Sequence, residues 1–309
     1  MQKNAIEKAI KILRAGGLVA IPTETVYGLG ADARNKAAVQ KIFLAKQRPA
    51  DHPVIVHVAE VSQLSDWAVD ISPDAMLLAK AFWPGPLTLI LKKAAHVDEI
   101  ITGGQETVGL RIPNHPVALA VLKEYGGGIA APSANRFGRI SPTTAKAVRE
   151  ELGDAVDLIL EGGQCDVGVE STIVDVSGEY PAILRPGMIT VEQIEKVLGK
   201  SVATQKKNAP RVSGSLESHY APVTPVRLMS DAEIILFLKN KHDEVAIVVW
   251  SDIAGNVVRL SADPVRYAHD LYQVMRDLDK KGLREMIFEK VPLGVEWDAV
   301  RDRLQRAAF

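Results

Sequence analysis

Apolar periodicity stops near residue 200 and resumes at Val226, and this gap divides the 309-residue chain into a large and a small part. The intervening stretch, KSVATQKKNAPRVSGSLESHYAPVTP, is dominated by Lys, Ser, Gly and Pro, the composition of a linker. A single core rarely grows beyond about 250–300 residues, so two folded units are expected, at 1–200 and 226–309, joined by a linker at 201–225.

Within the first unit, Ile6, Ala9, Ile10 and Leu13 recur at helical spacing, and Gly16-Gly17 ends that helix. Asn35 is placed to cap a second helix carrying Val39, Ile42 and Phe43 on one face. Strand-like runs follow at Pro53–Val58, Leu87–Leu91, Val108–Ile112, Ile129–Ala131, Leu158–Leu160, Ser171–Val176 and Ala182–Leu184. Helices are expected at Pro73–Phe82, Pro116–Tyr125, Thr143–Leu152 and Val191–Leu198. Strands and helices do not alternate strictly, which predicts a mixed, twisted α/β sheet with one concave face. The second unit reads as strands at Val226–Met229, Val245–Trp250, Val257–Leu260 and Met286–Lys290. Helices are expected at Ala232–Lys239, from Asp263-Pro264 to about Leu278, and at the C-terminus, giving a small three-layer α/β domain.

The bulk properties exclude several classes. With 47% hydrophobic and 24% charged residues, no apolar run reaches the roughly 18 residues of a membrane span. The N-terminal residues mix charges where a signal peptide needs an apolar core. The one cysteine, Cys165, rules out an intrachain disulfide and suits a reducing cytoplasm; it reads as a small buried side chain rather than a nucleophile. A net charge of −1 argues against nucleic-acid binding over the whole surface but leaves room for a local basic site. Phosphate-loop, paired-cysteine zinc, His-Glu-x-x-His and Gly-x-Ser-x-Gly patterns do not occur.

What remains is a constellation at strand ends. Leu18–Ile21 breaks into Pro22-Thr-Glu-Thr25 and then Gly28-Leu-Gly30, an arrangement suited to holding a phosphate or small polar ligand. Lys46 and Arg48 stand at a helix end, where they either complement the helix dipole or bind phosphate. His57 faces away from Val54, Val56 and Val58 if those face the core. Arg111 shares a strand face with Thr107 and Gly109 and so needs an anion, from the protein or from a ligand; the glycine leaves room that favours a ligand. Ser141, followed by Pro142, reads as a helix cap whose N-terminus could receive an anion. Ser171 and Arg185 stand at a strand start and a strand end, so hydroxyls and arginines converge as if on one anionic, polyhydroxyl ligand.

The motifs PTETVYGLG, KQRPADHPVIVHV, FWPGPLT, VGLRIPNHP, APSANRFGRISPTTA, VGVESTIVDV, LRPG and HYAP occur in that order. Together they closely resemble YrdC-type threonylcarbamoyl-AMP synthases of the long form, over essentially all of residues 1–225. The resemblance implies a twisted mixed-sheet catalytic domain with a concave basic site and a smaller Rossmann-like C-terminal domain. It implies formation of L-threonylcarbamoyl-AMP and pyrophosphate from L-threonine, bicarbonate and ATP, for threonylcarbamoylation of the tRNA adenosine next to the anticodon. By motif, Thr25, His57, Arg111, Ala131 and Ser171 would contact threonine. Arg48, His52, Thr107, Ser133, Ser141 and Arg185 would contact ATP, with Lys46 and Asn135 around the phosphates and Tyr220 reaching back from a linker that acts as a lid. Mg²⁺ would travel with ATP, held by phosphate oxygens rather than by the protein, and no general base is identified. The partners implied are a downstream tRNA threonylcarbamoyl transferase complex and a weak RNA contact. Many long-form members carry a Gly-Met-Lys-Tyr-like run where this chain reads Val212-Ser-Gly-Ser-Leu-Glu-Ser218. The competing expectation is a tRNA- or double-stranded-RNA-binding module without nucleotide chemistry, with affinity that falls steeply with salt.

Overall fold

A computed structural model describes residues 2–204, 209–214, 220–240 and 243–308. The larger sheet is built from β1 (Val19–Ile21), β2 (Gly28–Asp32), β3 (Ile55–His57), β4 (Ala68–Val69), β5 (Leu87–Lys93), β6 (Thr107–Arg111), β7 (Ile129–Ala130), β8 (Leu158–Ile159), β9 (Thr172–Asp175) and β10 (Ala182–Arg185). Its order is β10-β9-β5-β6-β3-β7-β2-β1-β8, with β4 on the side against β5. The sheet is mixed: β3/β6, β5/β9 and β1/β8 run parallel, and the other neighbours antiparallel.

Helices cover its two faces unequally. On one face α2 (Lys36–Lys46), α3 (Pro73–Phe82), α6 (Ala145–Leu152) and α7 (Val191–Leu198) bury Val39, Ile42, Leu78, Val148 and Ile194 against Val56, Leu89, Leu110 and Val174. On the other face α1 (Gln2–Arg14) and α5 (Pro116–Tyr125) pack at one end, seating Leu13 and Val121 on Val19, Ile21 and Ile129. The opposite end of that second face, at β3, β6, β5, β9 and β10, is therefore concave and open to a ligand. A short α4 (Glu99–Thr102) precedes β6.

Strand alternation places the charged residues on the open face. Val54, Val56 and Val58 are core residues while His57 points away from them, and Val108, Leu110 and Ile112 are core while Arg111 points away. The parallel β3/β6 register then sets His57 directly beside Arg111.

The second unit has a four-stranded parallel sheet, β11 (Val226–Met229), β12 (Val245–Val249), β13 (Val258–Arg259) and β14 (Glu285–Glu289), in the order β11-β14-β12-β13. Val248, Met286 and Phe288 pack on α9 (Pro264–Asp279) and α10 (Asp298–Ala307), while Ile247, Val249 and Ile287 pack on Ile234 of α8 (Asp231–Phe237), which makes three layers. Among the described residues no helix is long and apolar enough to cross a membrane.

The described linker residues strap the open face. Ala203 bridges to Ala182 at the sheet edge; the Arg211 guanidinium donates to the Gly103 carbonyl, and the Arg211 backbone donates to and accepts from the Gln105 side-chain amide; Val212 packs on Ile90 and Ile173; Ala221 donates to Gly138; and Asp279 accepts from the backbones of Val223 and Thr224. Residues 215–219, which include most of the Gly-Met-Lys-Tyr-like departure and His219 of the HYAP motif, lie outside the described residues.

Candidate active site

The turn after β1 is fixed by its own side chains. The Thr23 hydroxyl donates to the Val26 carbonyl at 2.6 Å and accepts from the backbone N–H groups of Thr25 and Val26. Thr25 is thereby presented to the open face and Glu24 is turned inward beneath it. The glycines that follow form no phosphate loop, which corrects that expectation: both belong to β2. A Cβ on Gly30 would lie 2.9 Å from Ile21 Cδ1 and 3.0 Å from the Val19 carbonyl, so glycine is needed there for close strand pairing. Gly28 lies against Ala131 and helps line the cleft.

That cleft brings together Thr25, His57, Arg111, Ala131, Ser133, Ser171, Arg185 and Tyr220. Arg111 is clamped from three sides: Nη2 to Glu24 Oε1 at 2.7 Å, Nη1 to Thr25 Oγ1 at 2.9 Å, and Nε to the Gly85 carbonyl at 3.2 Å. Its anion in this structure is thus a protein carboxylate. A Cβ on Gly109 would lie 3.2 Å from Ile90 Cδ1, and the glycine opens onto a neighbouring recess with Thr107 rather than onto the cleft that holds Arg111. His57 is buried, and its Nδ1 has no hydrogen-bond partner among the described residues. Burial, reinforced by Arg111, pushes the imidazole down to about 3, so it is neutral. Ser171 shares a hydrogen bond with Thr88 at 2.8 Å and accepts from Arg185 Nη2 at 3.1 Å.

Three other cations are treated differently from Arg111. Lys46, Arg48 and Arg185 are 2%, 7% and 4% exposed, and among the described residues none has a carboxylate within ion-pair distance. Lys46 Nζ donates to the carbonyls of Ser133 and Asn135, both at 2.6 Å. Arg48 donates to the Pro53 carbonyl, and its Nε has no partner among the described residues. Arg185 donates to the carbonyls of Ser171 and Ser213. Burial pushes all three downward from their ordinary values, Arg48 to about 10. Buried cations that meet only neutral carbonyl and hydroxyl dipoles are costly unless an anion joins them, and of the three Arg185 lines the cleft itself, where a polyanion could reach it.

The remaining expected residues lie around the cleft rather than in it. Thr107 lines a neighbouring recess with Pro53, Arg211 and Ser213. His52 stands edge-on to Phe137. The Asn135 amide donates to the carbonyls of Arg136 and Arg139, shaping the loop that carries Ser133. Ser141 is not a helix cap: α6 starts at Ala145 and is capped by Thr144, and the Ser141 hydroxyl instead donates to Glu170 at 2.6 Å.

Glu170 exposes what the sequence reading missed. Besides Ser141 it accepts from Tyr272 of α9 at 3.0 Å and from Arg303 of α10 at 2.7 Å, so the second domain reaches into the first. Burial alone would raise this carboxyl, but Arg303 and Arg185 hold it down at about 2. Tyr220 is stacked on Tyr272 with the Arg303 guanidinium 5.0 Å from its ring centre. Glu24 and Glu170 sit inside motifs quoted above, each next to a hydroxyl residue of the cleft; Tyr272 and Arg303 carried no local signal.

Known proteins agree with this geometry. Residues 11–187 match the family model described as "Telomere recombination" (Sua5, YciO and YrdC), and residues 189–309 match "Threonylcarbamoyl-AMP synthase, C-terminal domain". The threonylcarbamoyl-AMP synthase of Pyrococcus abyssi is 39% identical over 98% of this chain and 94% of its own, and that of Bacillus subtilis is 40% identical over 98% and 92%. The crystal structure of P. abyssi Sua5 complexed with L-threonine superposes with a TM-score of 0.90 at 38% identity, covering 98% of this chain and 94% of that one. The chain therefore belongs to the threonylcarbamoyl-AMP synthase family, in its two-domain form.

Proposed function

We propose that the protein forms L-threonylcarbamoyl-AMP and pyrophosphate from L-threonine, bicarbonate and ATP, and that the product serves threonylcarbamoylation of the tRNA adenosine next to the anticodon. The observation that carries this reading is the sorting of charge in one cleft: Arg111 is neutralised by Glu24, whereas Arg185, which lines the same cleft, has no carboxylate within ion-pair distance among the described residues. Behind the cleft wall the buried Lys46, bonded to the Ser133 carbonyl, and Arg48 have none among them either. A single carboxylate suits the neutralised arginine and a triphosphate the uncompensated one.

Arg111, held by Glu24 and Thr25, receives the threonine carboxylate, with His57, Ala131 and Ser171 around the amino acid. A nitrogen that keeps a proton only below about pH 3 is too weak a base to deprotonate an amine, so His57 positions by hydrogen bonding. The neutral threonine amine attacks bicarbonate carbon, and loss of water leaves a carbamate. A carbamate oxygen then attacks the α-phosphorus as the bond to pyrophosphate breaks. Such a reaction draws on alignment and on cationic stabilisation of the phosphates more than on a protein nucleophile. Arg185 and Arg48 supply the charge; Lys46 and Asn135 hold the Ser133 loop; His52, Thr107 and Ser141 border the nucleotide; Tyr220 closes over it and keeps water out. Mg²⁺ accompanies ATP on the phosphate oxygens. The described residues offer no cluster of three or more side chains able to hold a metal, and no step is assigned to it. The 1–200, 201–225 and 226–309 division assigns catalysis, lid and lid support in turn. A reducing cytoplasm suits the buried thiol, a tRNA threonylcarbamoyl transferase complex would take up the product, and a weak RNA contact would accompany that hand-over.

The test is pyrophosphate release from ATP and Mg²⁺ with threonine or bicarbonate omitted in turn, beside Arg111→Ala. Release should require both co-substrates and collapse in the variant. Release indifferent to threonine would overturn the amino-acid assignment.

A further inference from the structure

We propose that Arg303, contributed by the second domain, is a positioning residue that holds Glu170 away from Arg185 and so leaves the charge of Arg185 uncompensated for the phosphates of the nucleotide. The inference rests on the nucleotide site proposed above.

Glu170 and Arg185 line the same cleft, yet no hydrogen bond joins them. The acid is instead fully engaged elsewhere: Oε1 takes the Ser141 hydroxyl, and Oε2 takes Arg303 Nε and the Tyr272 hydroxyl. Arg303 has no freedom to leave. It is completely buried, donates to Asp302 at 2.6 Å and to the Pro186 carbonyl at 3.1 Å, and lies over the Tyr220 ring. Pro186 follows Arg185 in the chain, so a second guanidinium is installed one residue from the first, and the acid is given to the one that does not face the ligand.

A buried carboxylate does not stay unpaired. The cations that do most to stabilise the Glu170 carboxylate are Arg303 and then Arg185, with Lys46 also acting on it. With Arg303 gone, Arg185 is the cation that shares the cleft with Glu170, and a pairing there would cancel the charge that a phosphate needs. The same arginine holds the ring of Tyr220, whose backbone is in the left-handed region at φ 61°, so the strap and the charge balance share one anchor.

The experiment compares the unsubstituted full-length protein with Arg303→Met and with Glu170→Gln/Arg303→Met. It measures the KM for ATP by pyrophosphate release and the Kd for L-threonine by calorimetry without nucleotide. Arg303→Met should raise the KM for ATP about tenfold or more while threonine affinity stays within about twofold, and the double variant, with no acid left to misdirect, should return the KM to within about threefold of wild type. An unchanged KM in Arg303→Met overturns the inference. So does equal impairment of the single and double variants, which would make Arg303 a purely structural residue. Should Arg303→Met fail to fold, the double variant decides alone, a near-normal KM supporting the inference and a raised one overturning it. Failure of the unsubstituted protein to use ATP would overturn the functional reading and this inference with it.

Discussion

Arg111 and Glu24 meet at 2.7 Å with both side chains only 5% exposed, so the arginine at the amino-acid end of the cleft is neutralised from behind before any substrate arrives. Removing one partner of such a pair leaves an uncompensated buried charge, at a cost of about 3–5 kcal/mol. Glu24→Gln keeps the shape and removes the charge, so it should lower stability by that order in the absence of ligand. The threonine carboxylate then restores the missing charge. Saturating threonine should therefore raise the melting temperature more in Glu24→Gln than in wild type, and equal shifts would show that Glu24 does not tune Arg111.

Arg48 predicts the opposite balance of stability and function. It is buried, lacks a carboxylate among the described residues, and is held below its ordinary value by desolvation. Replacing it with methionine, which keeps most of the stem, removes an unfavourable charge. The variant should melt at or above the wild-type temperature while its KM for ATP rises about tenfold or more, the pattern of a site that trades stability for binding. A variant that loses stability without losing ATP affinity would assign Arg48 to the fold.

His57 makes stability depend on pH. Its imidazole titrates at about 3 in the folded protein against 6.5 ordinarily. Between these values the unfolded chain takes up a proton that the native state refuses, so this contribution is complete above about pH 6.5 and shrinks as pH falls toward 3. The slope reaches at most about 1.4 kcal/mol per pH unit. Glu170 acts in the same direction, but its window runs from 4.5 down to about 2. Denaturant melts between pH 5 and 6.5 should thus show a stability slope in wild type that is reduced in His57→Gln. His52, also pushed down by burial, remains in both proteins and cancels in the comparison.

The parts of this site readable from sequence were those governed by local geometry. Period-two alternation placed His57 and Arg111 on the open face, and the helices at Pro73–Phe82, Pro116–Tyr125 and Val191–Leu198 were legible to the residue because a proline, glycine or capping side chain marks their ends. The failures came where a local signal had two uses. Ser141-Pro142 has the form of a helix start, yet the Ser141 hydroxyl donates to Glu170, a carboxylate whose other oxygen is held by the second domain, and Thr144 caps instead. Gly28 and Gly30 have the form of a ligand loop, but only Gly28 lines the cleft, and the close approach of β1 to β2 makes the same demand on the backbone at Gly30. Arg303 lies 133 residues from Glu170, and only the packing of α10 against the first domain brings them together.

The strap offers the last test. Gly214 sits at φ 80°, and a Cβ there would fall 1.9 Å from the Tyr220 hydroxyl oxygen and 3.3 Å from Arg185 Nη1. Alanine would therefore strain the backbone by about 1 kcal/mol and also force the strap off Tyr220 and Arg185. Gly214 belongs to neither domain core, so global stability should change by about 1–2 kcal/mol at most, whereas kcat/KM should fall about tenfold because the cleft no longer closes over its ligands. Pyrophosphate-release kinetics alongside a denaturant melt would separate the two effects. Full activity in Gly214→Ala would mean that the strap covers the cleft without taking part in catalysis.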